Sequence, residues 1–181
     1  MHEELTALAN DLMRRAKAAD AAIVVAESCT AGLMCQVLSD AEGASDFFHG
    51  GFVTYTKAHK TRALGVPAAL LRRKGAVCAE VARAMAEGAL AHSDAVIAAA
   101  ITGVAGPEPD EDGNPVGRVC IAVARRGAPT RDLERNYPDE GRDAIRDRAV
   151  ADALKAMMQA SGSMSAGSAS LRQRRATSSS A

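Results

Sequence analysis

The sequence predicts one α/β domain, a three-layer α/β/α sandwich with a mostly parallel sheet. Two runs carry that expectation: Ala22-Ile23-Val24-Val25 and Ala95 through Ile101 are continuously apolar, as strands covered on both faces must be. Between and beyond them apolar residues recur at helical spacing, and strands alternating with helices place helices on both sides of a sheet. A chain of 181 residues is long enough for a single domain to bury most of its apolar surface.

Taken in order, Leu5, Leu8, Leu12 and Ala16 recur on one face and predict an amphipathic helix over 3–19. A strand is expected over 22–26 and a helix over about 31–39. Ala41 to Ser45 reads as a loop. Phe47-Phe48 and Gly50-Gly51 then lead into a strand, Phe52 to Tyr55, where the clustered Phe residues mark core packing. Residues 56–64 read as a short helix stopped by Gly65, and Pro67 opens another helical turn. A helix over about 79–91 carries Val81, Met85 and Gly88 along one face. The central apolar run 95–101 follows, then a polar loop from Glu108 to Asn114 and a strand over Val119 to Ala124. Leu133 to Tyr137 reads as an edge strand, and a last helix spans about 139–159. From Ala160 onward Ser, Ala and Gly prevail, a composition unable to build a core. The expected organisation is therefore a domain over 1–159 and a disordered tail over 160–181 that ends in a basic Arg172 to Arg175 cluster.

Composition narrows the function. Lys plus Arg and Asp plus Glu each number 22, so no excess charge points to a nucleic acid or a membrane surface. No apolar run approaches the ~20 residues that span a bilayer, and Met1-His2-Glu3-Glu4 lacks the look of a signal peptide. The four cysteines Cys29, Cys35, Cys78 and Cys120 show no CxxC spacing and read as free thiols of a reducing cytoplasm. The histidines do not cluster either, so neither a metal nor a cofactor is expected. Homo-oligomers, here a dimer or trimer, are the default for soluble enzymes of this size.

The chemistry concentrates at strand ends. Ala26-Glu27-Ser28-Cys29-Thr30-Ala31-Gly32 joins a buried strand to a helix, where open α/β sheets bind ligands and helix amides attract anions. Ser and Thr at such a turn also serve as plain helix caps. Thr102-Gly103-Val104-Ala105-Gly106-Pro107 follows the second apolar run, so neighbouring strands would bring Ser28, Thr30 and Thr102 to one crevice. Gly103 and Gly106 then either admit a ligand close to the main chain or simply turn the chain. A serine needs a base to become a nucleophile. His49 and His59 lack an acid partner or a GxSxG setting. Lys60, one helical turn past Tyr55, is the alternative base if a dry site removes its proton. Read alone, beside Arg62, it is a solvated surface charge, since Lys is almost never fully buried. Arg142 and Arg146 share a helix face at i and i+4, a pair able to grip a phosphate, although Asp143 and Asp147 interleave with them as on an ordinary charged face.

Seven blocks in order now resemble one family, the CinA C-terminal domain or nicotinamide-nucleotide amidohydrolase family. They are AESCTAG at 26–32, GGFVTYTKAHK at 50–60, LGV at 64–66, GAVCAEVARAMAEGA at 75–89, TGVAGP at 102–107, PVGRVCIAVA at 115–124 and GRDAIRDRA at 141–149. The resemblance implies hydrolysis of the carboxamide of nicotinamide mononucleotide, giving nicotinic acid mononucleotide and ammonia without a metal. It implies Ser28 as nucleophile, Lys60 as its activating base and Tyr55 in the site. Thr30, Gly32, Thr102 and Gly103 are then expected on the substrate and Arg142 and Arg146 on its phosphate, with backbone amides near Thr30 or Gly103 holding the oxyanion. The partner is a small pyridine nucleotide. Cys29 as nucleophile is a variant of this reading. A non-catalytic nucleotide-binding or regulatory module, linked to competence and DNA damage through the family name, is the alternative of another class. The chain departs from the family at Ala31, where glycine is usual, and at Thr56-Lys57, where Ser-Asn is common. It departs again at Cys78, where Ser is common, and at the acidic residues Glu108, Asp110, Glu111 and Asp112 in a loop usually rich in glycine.

Overall fold

A computed structural model describes residues 2–162. The elements are α1 (His2–Ala19), β1 (Ile23–Glu27), α2 (Leu33–Ser39), α3 (Ala44–Phe47), β2 (Phe48–Val53), α4 (Lys57–Leu64), α5 (Ala68–Lys74), α6 (Ala79–Ala91), β3 (Ile97–Gly103), β4 (Arg118–Arg125), β5 (Ala128–Asn136) and α7 (Arg142–Gly162). They build an α/β domain around one five-stranded sheet in the order β2-β1-β3-β4-β5. β1 pairs in parallel with β2 and β3. β4 runs antiparallel to both β3 and β5, so the sheet is mixed.

Period-two alternation divides the strand residues between two cores. Ile23, Val25, Ile97, Ala99, Ile101, Val119 and Ile121 face α1, α2 and α7, including Leu5, Leu12, Met34 and Leu154. Val24, Ala26, Ala98, Ala100, Ala122 and Ala124 face the opposite layer, including Leu64, Val81 and Met85 of α4 and α6. The alanines on that second face let α6 lie close. At Gly88 a Cβ would stand 2.0 Å from the Leu64 carbonyl oxygen, so α4 and α6 touch main chain to main chain there.

Three expectations shift. β2 begins at Phe48 rather than Phe52 because Gly50-Gly51 lies inside the strand: a Cβ on Gly51 would stand 2.3 Å from Cys35 Sγ, so glycine there admits α2. β5 runs over Ala128–Asn136, longer than the Leu133 to Tyr137 segment, since this edge strand carries charged residues that mask its alternation. The loop at 41–45 contains the start of the one-turn helix α3. α7 continues to Gly162, and the tail expected from Ala160 lies, beyond that residue, outside the described residues. Among the described residues no helix is long and apolar enough to cross a membrane.

Candidate active site

β1 and β3 are neighbours, so their carboxyl ends open into one cleft of about 570 Å³. Ser28, Tyr55, Thr102 and Gly103 line its floor and one wall, Arg142 and Arg146 approach from α7, and the 108–112 segment forms the rim.

Ser28 leaves β1 with its amide bonded to the Ile101 carbonyl at 3.0 Å, which fixes it against the end of β3. The following turn passes through left-handed backbone at Ala31 (φ 54°) and Gly32 (φ 101°) and swings the chain away into α2. That reversal turns Thr30 and Gly32 toward the start of α7. They line a separate pocket of about 330 Å³ shared with Gln36, Asp143, Arg146 and Asp147. Thr30 Oγ1 is buried there without a hydrogen-bond partner among the described residues.

Lys60 arrives from α4. The Thr56 side chain accepts from the His59 amide and caps that helix, which sets its phase so that Lys60 and Leu64, four residues apart, both turn inward. Lys60 is fully buried. Its Nζ lies 2.7 Å from Ser28 Oγ and donates to the carbonyls of Thr54 at 2.7 Å and Tyr55 at 3.4 Å. Burial lowers its pKa to about 8, since a charge is costly to hold away from water. A neutral amine has two hydrogens and one lone pair. With both hydrogens on carbonyls, the lone pair faces the serine hydroxyl.

The remaining candidates fall around this pair. Tyr55 gives Lys60 its carbonyl, and its ring stands 69% exposed at the cleft mouth. Thr102 is buried and donates its hydroxyl to the Ala76 carbonyl at 2.8 Å, tying the segment before α6 to the cleft floor. Gly103 is required by the neighbouring strand, because a Cβ would stand 2.7 Å from the Arg118 carbonyl oxygen. Arg146 Nε donates to the Cys29 carbonyl at 2.8 Å and thereby ties α7 to the Ser28 turn, while Arg142 is exposed at the mouth. Cys29 is buried, and burial pushes its thiol up to about 12, so it stays protonated at neutral pH. His59 is exposed and helps cap α4 through its amide only. Among the described residues no cluster of three or more His, Cys, Asp or Glu is arranged to hold a metal ion.

Two participants escaped the sequence. Thr54 holds Lys60 through its carbonyl, and Glu27, the last residue of β1, is a fully buried carboxylate beside the serine. Glu27 leaves one trace, an acid closing an apolar strand run. Thr54 leaves none, because the group it uses is main chain.

Comparison with known proteins now adds to the geometry. A family model described as the CinA C-terminal domain matches residues 5–161. A protein of Pseudomonas putida called nicotinamide-nucleotide amidohydrolase PncC is 40% identical over 158 residues, covering 87% of this chain and 97% of that one. A putative competence-damage inducible protein of Symbiobacterium thermophilum is 45% identical over 136 residues, 71% of this chain but 32% of its own length. The chain thus spans about a third of the length of several curated relatives it matches. The crystal structure of the competence/damage inducible protein CihA from Agrobacterium tumefaciens superposes with a TM-score of 0.83 at 37% identity, covering 88% of this chain and 96% of that one.

Proposed function

Because this chain belongs to the CinA C-terminal domain family, we propose that it is an amidohydrolase that converts nicotinamide mononucleotide to nicotinic acid mononucleotide and ammonia by a Ser–Lys mechanism. The observation that carries this reading is the 2.7 Å contact between a buried Lys60 Nζ and Ser28 Oγ at the floor of the cleft. The substrate comes from the similarity to the Pseudomonas putida enzyme, which the chain matches over nearly its whole length.

In this reading the carboxamide carbon lies over Ser28 and the phosphate meets Arg142 and Arg146. Neutral Lys60 takes the Ser28 proton as Oγ bonds to the carboxamide carbon. The carbonyl oxygen becomes an oxyanion, held by main-chain amides of the Cys29 or Gly103 segments that line the cleft; one such donor is worth roughly 3 kcal/mol. The tetrahedral intermediate collapses, the C–N bond breaks, and Lys60 returns its proton to the departing nitrogen as ammonia forms. Water then loses a proton to Lys60, attacks the acyl carbon, and Ser28 recovers its hydrogen as the carboxylate leaves. Tyr55 covers the bound ring at the mouth.

The direct test is ammonia release from nicotinamide mononucleotide by the wild type, Ser28→Ala and Lys60→Met. Turnover by the wild type and its loss in both variants is expected. Undiminished turnover in Ser28→Ala, or tight nucleotide binding with no ammonia from the wild type, overturns the reading.

A further inference from the structure

Glu27 occupies a position where a carboxylate is costly. It is fully buried, and its partners are main-chain amides. One oxygen, Oε2, accepts from Gly32 and Met34 at 3.1 Å each, and Oε1 accepts from Cys35 at 2.8 Å. These amides belong to the first turn of α2, which has no side-chain cap because Gly32 stands at the cap position. All three of these hydrogen bonds come from amide donors, so the two oxygens act here as acceptors.

The five residues between Glu27 and the start of α2 are the turn that carries Ser28. Ala31 holds a left-handed conformation that an L-residue rarely adopts, so the turn must be constrained from outside. Glu27 supplies that constraint at both ends. Its carbonyl accepts the Thr54 amide at 2.8 Å on the β2 side, and its side chain grips the far end of the turn at Gly32, Met34 and Cys35. Ser28 therefore sits in a loop that begins and closes on one residue. Thr54 is also the residue whose carbonyl holds Lys60 Nζ at 2.7 Å. Nucleophile and base are both referenced to Glu27, one through its side chain and the other through its main chain.

We propose that Glu27 is a positioning residue, whose carboxylate closes the Ser28 turn and so sets the distance between the serine oxygen and the Lys60 amine. Its kinetic consequence rests on the hydrolase reading above. Glu27→Gln keeps the shape but turns an NH2 toward donor amides, and Glu27→Asp keeps the charge but falls one methylene short.

Both variants and the wild type are assayed for ammonia release from nicotinamide mononucleotide, for nucleotide affinity by calorimetry, and for the rate at which a fluorophosphonate ester labels Ser28. Urea unfolding checks the fold. In at least one folded variant kcat is expected to fall roughly a hundredfold, the usual consequence of a displacement of about 1 Å, with KM and affinity changed less than about twofold. Ser28 labelling should slow in parallel. Unchanged labelling in every variant that folds overturns the proposal, as does a joint loss of kcat and affinity. Loss of the cooperative unfolding transition in both variants assigns Glu27 to folding alone and overturns it too. A wild type that labels at Ser28 yet releases no ammonia sinks the hydrolase reading, while the labelling comparison still decides the role of Glu27. A wild type that does neither sinks both.

Discussion

Replacing Lys60 by Met should destroy catalysis and at the same time change how stability depends on pH. In the folded protein Lys60 is fully buried with a pKa lowered from 10.5 to about 8. Unfolding restores the ordinary value, so between about pH 8 and 10.5 the unfolded chain binds the proton that the folded chain has released. Stability therefore rises with pH across that window, and below it the full penalty of a buried ammonium applies. A displacement of about 2.5 pKa units at 1.36 kcal/mol each gives a penalty on the order of 3 kcal/mol at and below neutral pH. Methionine has a similar length and no charge, so Lys60→Met escapes this penalty but leaves the Thr54 and Tyr55 carbonyls without their donor. That second loss does not depend on pH. The decisive quantity is thus the difference in unfolding free energy between variant and wild type, measured by urea at pH 7 and again at pH 10. It should move by about 2–3 kcal/mol in favour of the wild type as pH rises, which is roughly 4–12 °C in Tm for a domain of this size. A difference independent of pH would refute the premise that Lys60 is held away from water in a state that favours the free amine.

Three further outcomes follow from the same geometry. The kcat/KM for amide hydrolysis should climb with pH through an inflection near 8 as Lys60 loses its proton, and a flat profile between pH 7 and 9 would count against lysine as the base. Cys29→Ala should keep activity within about threefold, because its thiol is held protonated by burial; an inactive Cys29→Ala that binds nucleotide normally would move the nucleophile to the thiol. Arg142→Ala, at the exposed start of α7, should raise KM for the mononucleotide about tenfold with little effect on kcat. The same variant should leave turnover of the phosphate-free nucleoside unchanged, and equal losses on both substrates would remove the phosphate from that end of the cleft.

How much of this was legible depends on whether the information sat in side chains or in the main chain. β1 and β3 announce themselves because strands covered on both faces must be apolar throughout, and their adjacency brings Ser28 and Thr102 together. β2 is obscured by Gly50-Gly51, which reads as a turn until α2 is seen to need the space above Gly51. Lys60 is the hardest residue to read. Its helix has scarcely any apolar stripe, and only the cap at Thr56 reveals that Lys60 shares the inner face with Leu64. No property of residue type distinguishes it from Arg62 two positions later. Glu27 is hidden for another reason: its partners are amides, which every residue possesses, so no spacing of side chains marks them.

Free carboxylates on the 108–112 rim would repel an anionic substrate, and their pairing removes most of that repulsion. Glu111 and Asp112 both meet the Lys57 ammonium, at 2.7 and 2.8 Å, and Asp112 also accepts the Ala76 amide at 3.2 Å. Asp110 is turned back onto its own loop, where it accepts from the Asn114 side chain and from the amides of Asp112 and Asn114. Such partly exposed pairs contribute at most about 1 kcal/mol each to stability, but they cancel charge and hold the loop to α4 across the cleft. Lys57 is therefore occupied with these carboxylates. The proton affinity of Lys60 is lowered by its own burial and needs no like charge beside it. What remains near the mouth is Glu108 on the rim side and Arg142 with Arg146 on the α7 side. The arginines then present positive charge on the side of the cleft that adjoins the Ser28 turn, since Arg146 is bonded to the Cys29 carbonyl. In the proposed reaction a phosphate held there is anchored through α7 to the turn that carries Ser28, so binding at one end of the substrate constrains the carboxamide at the other.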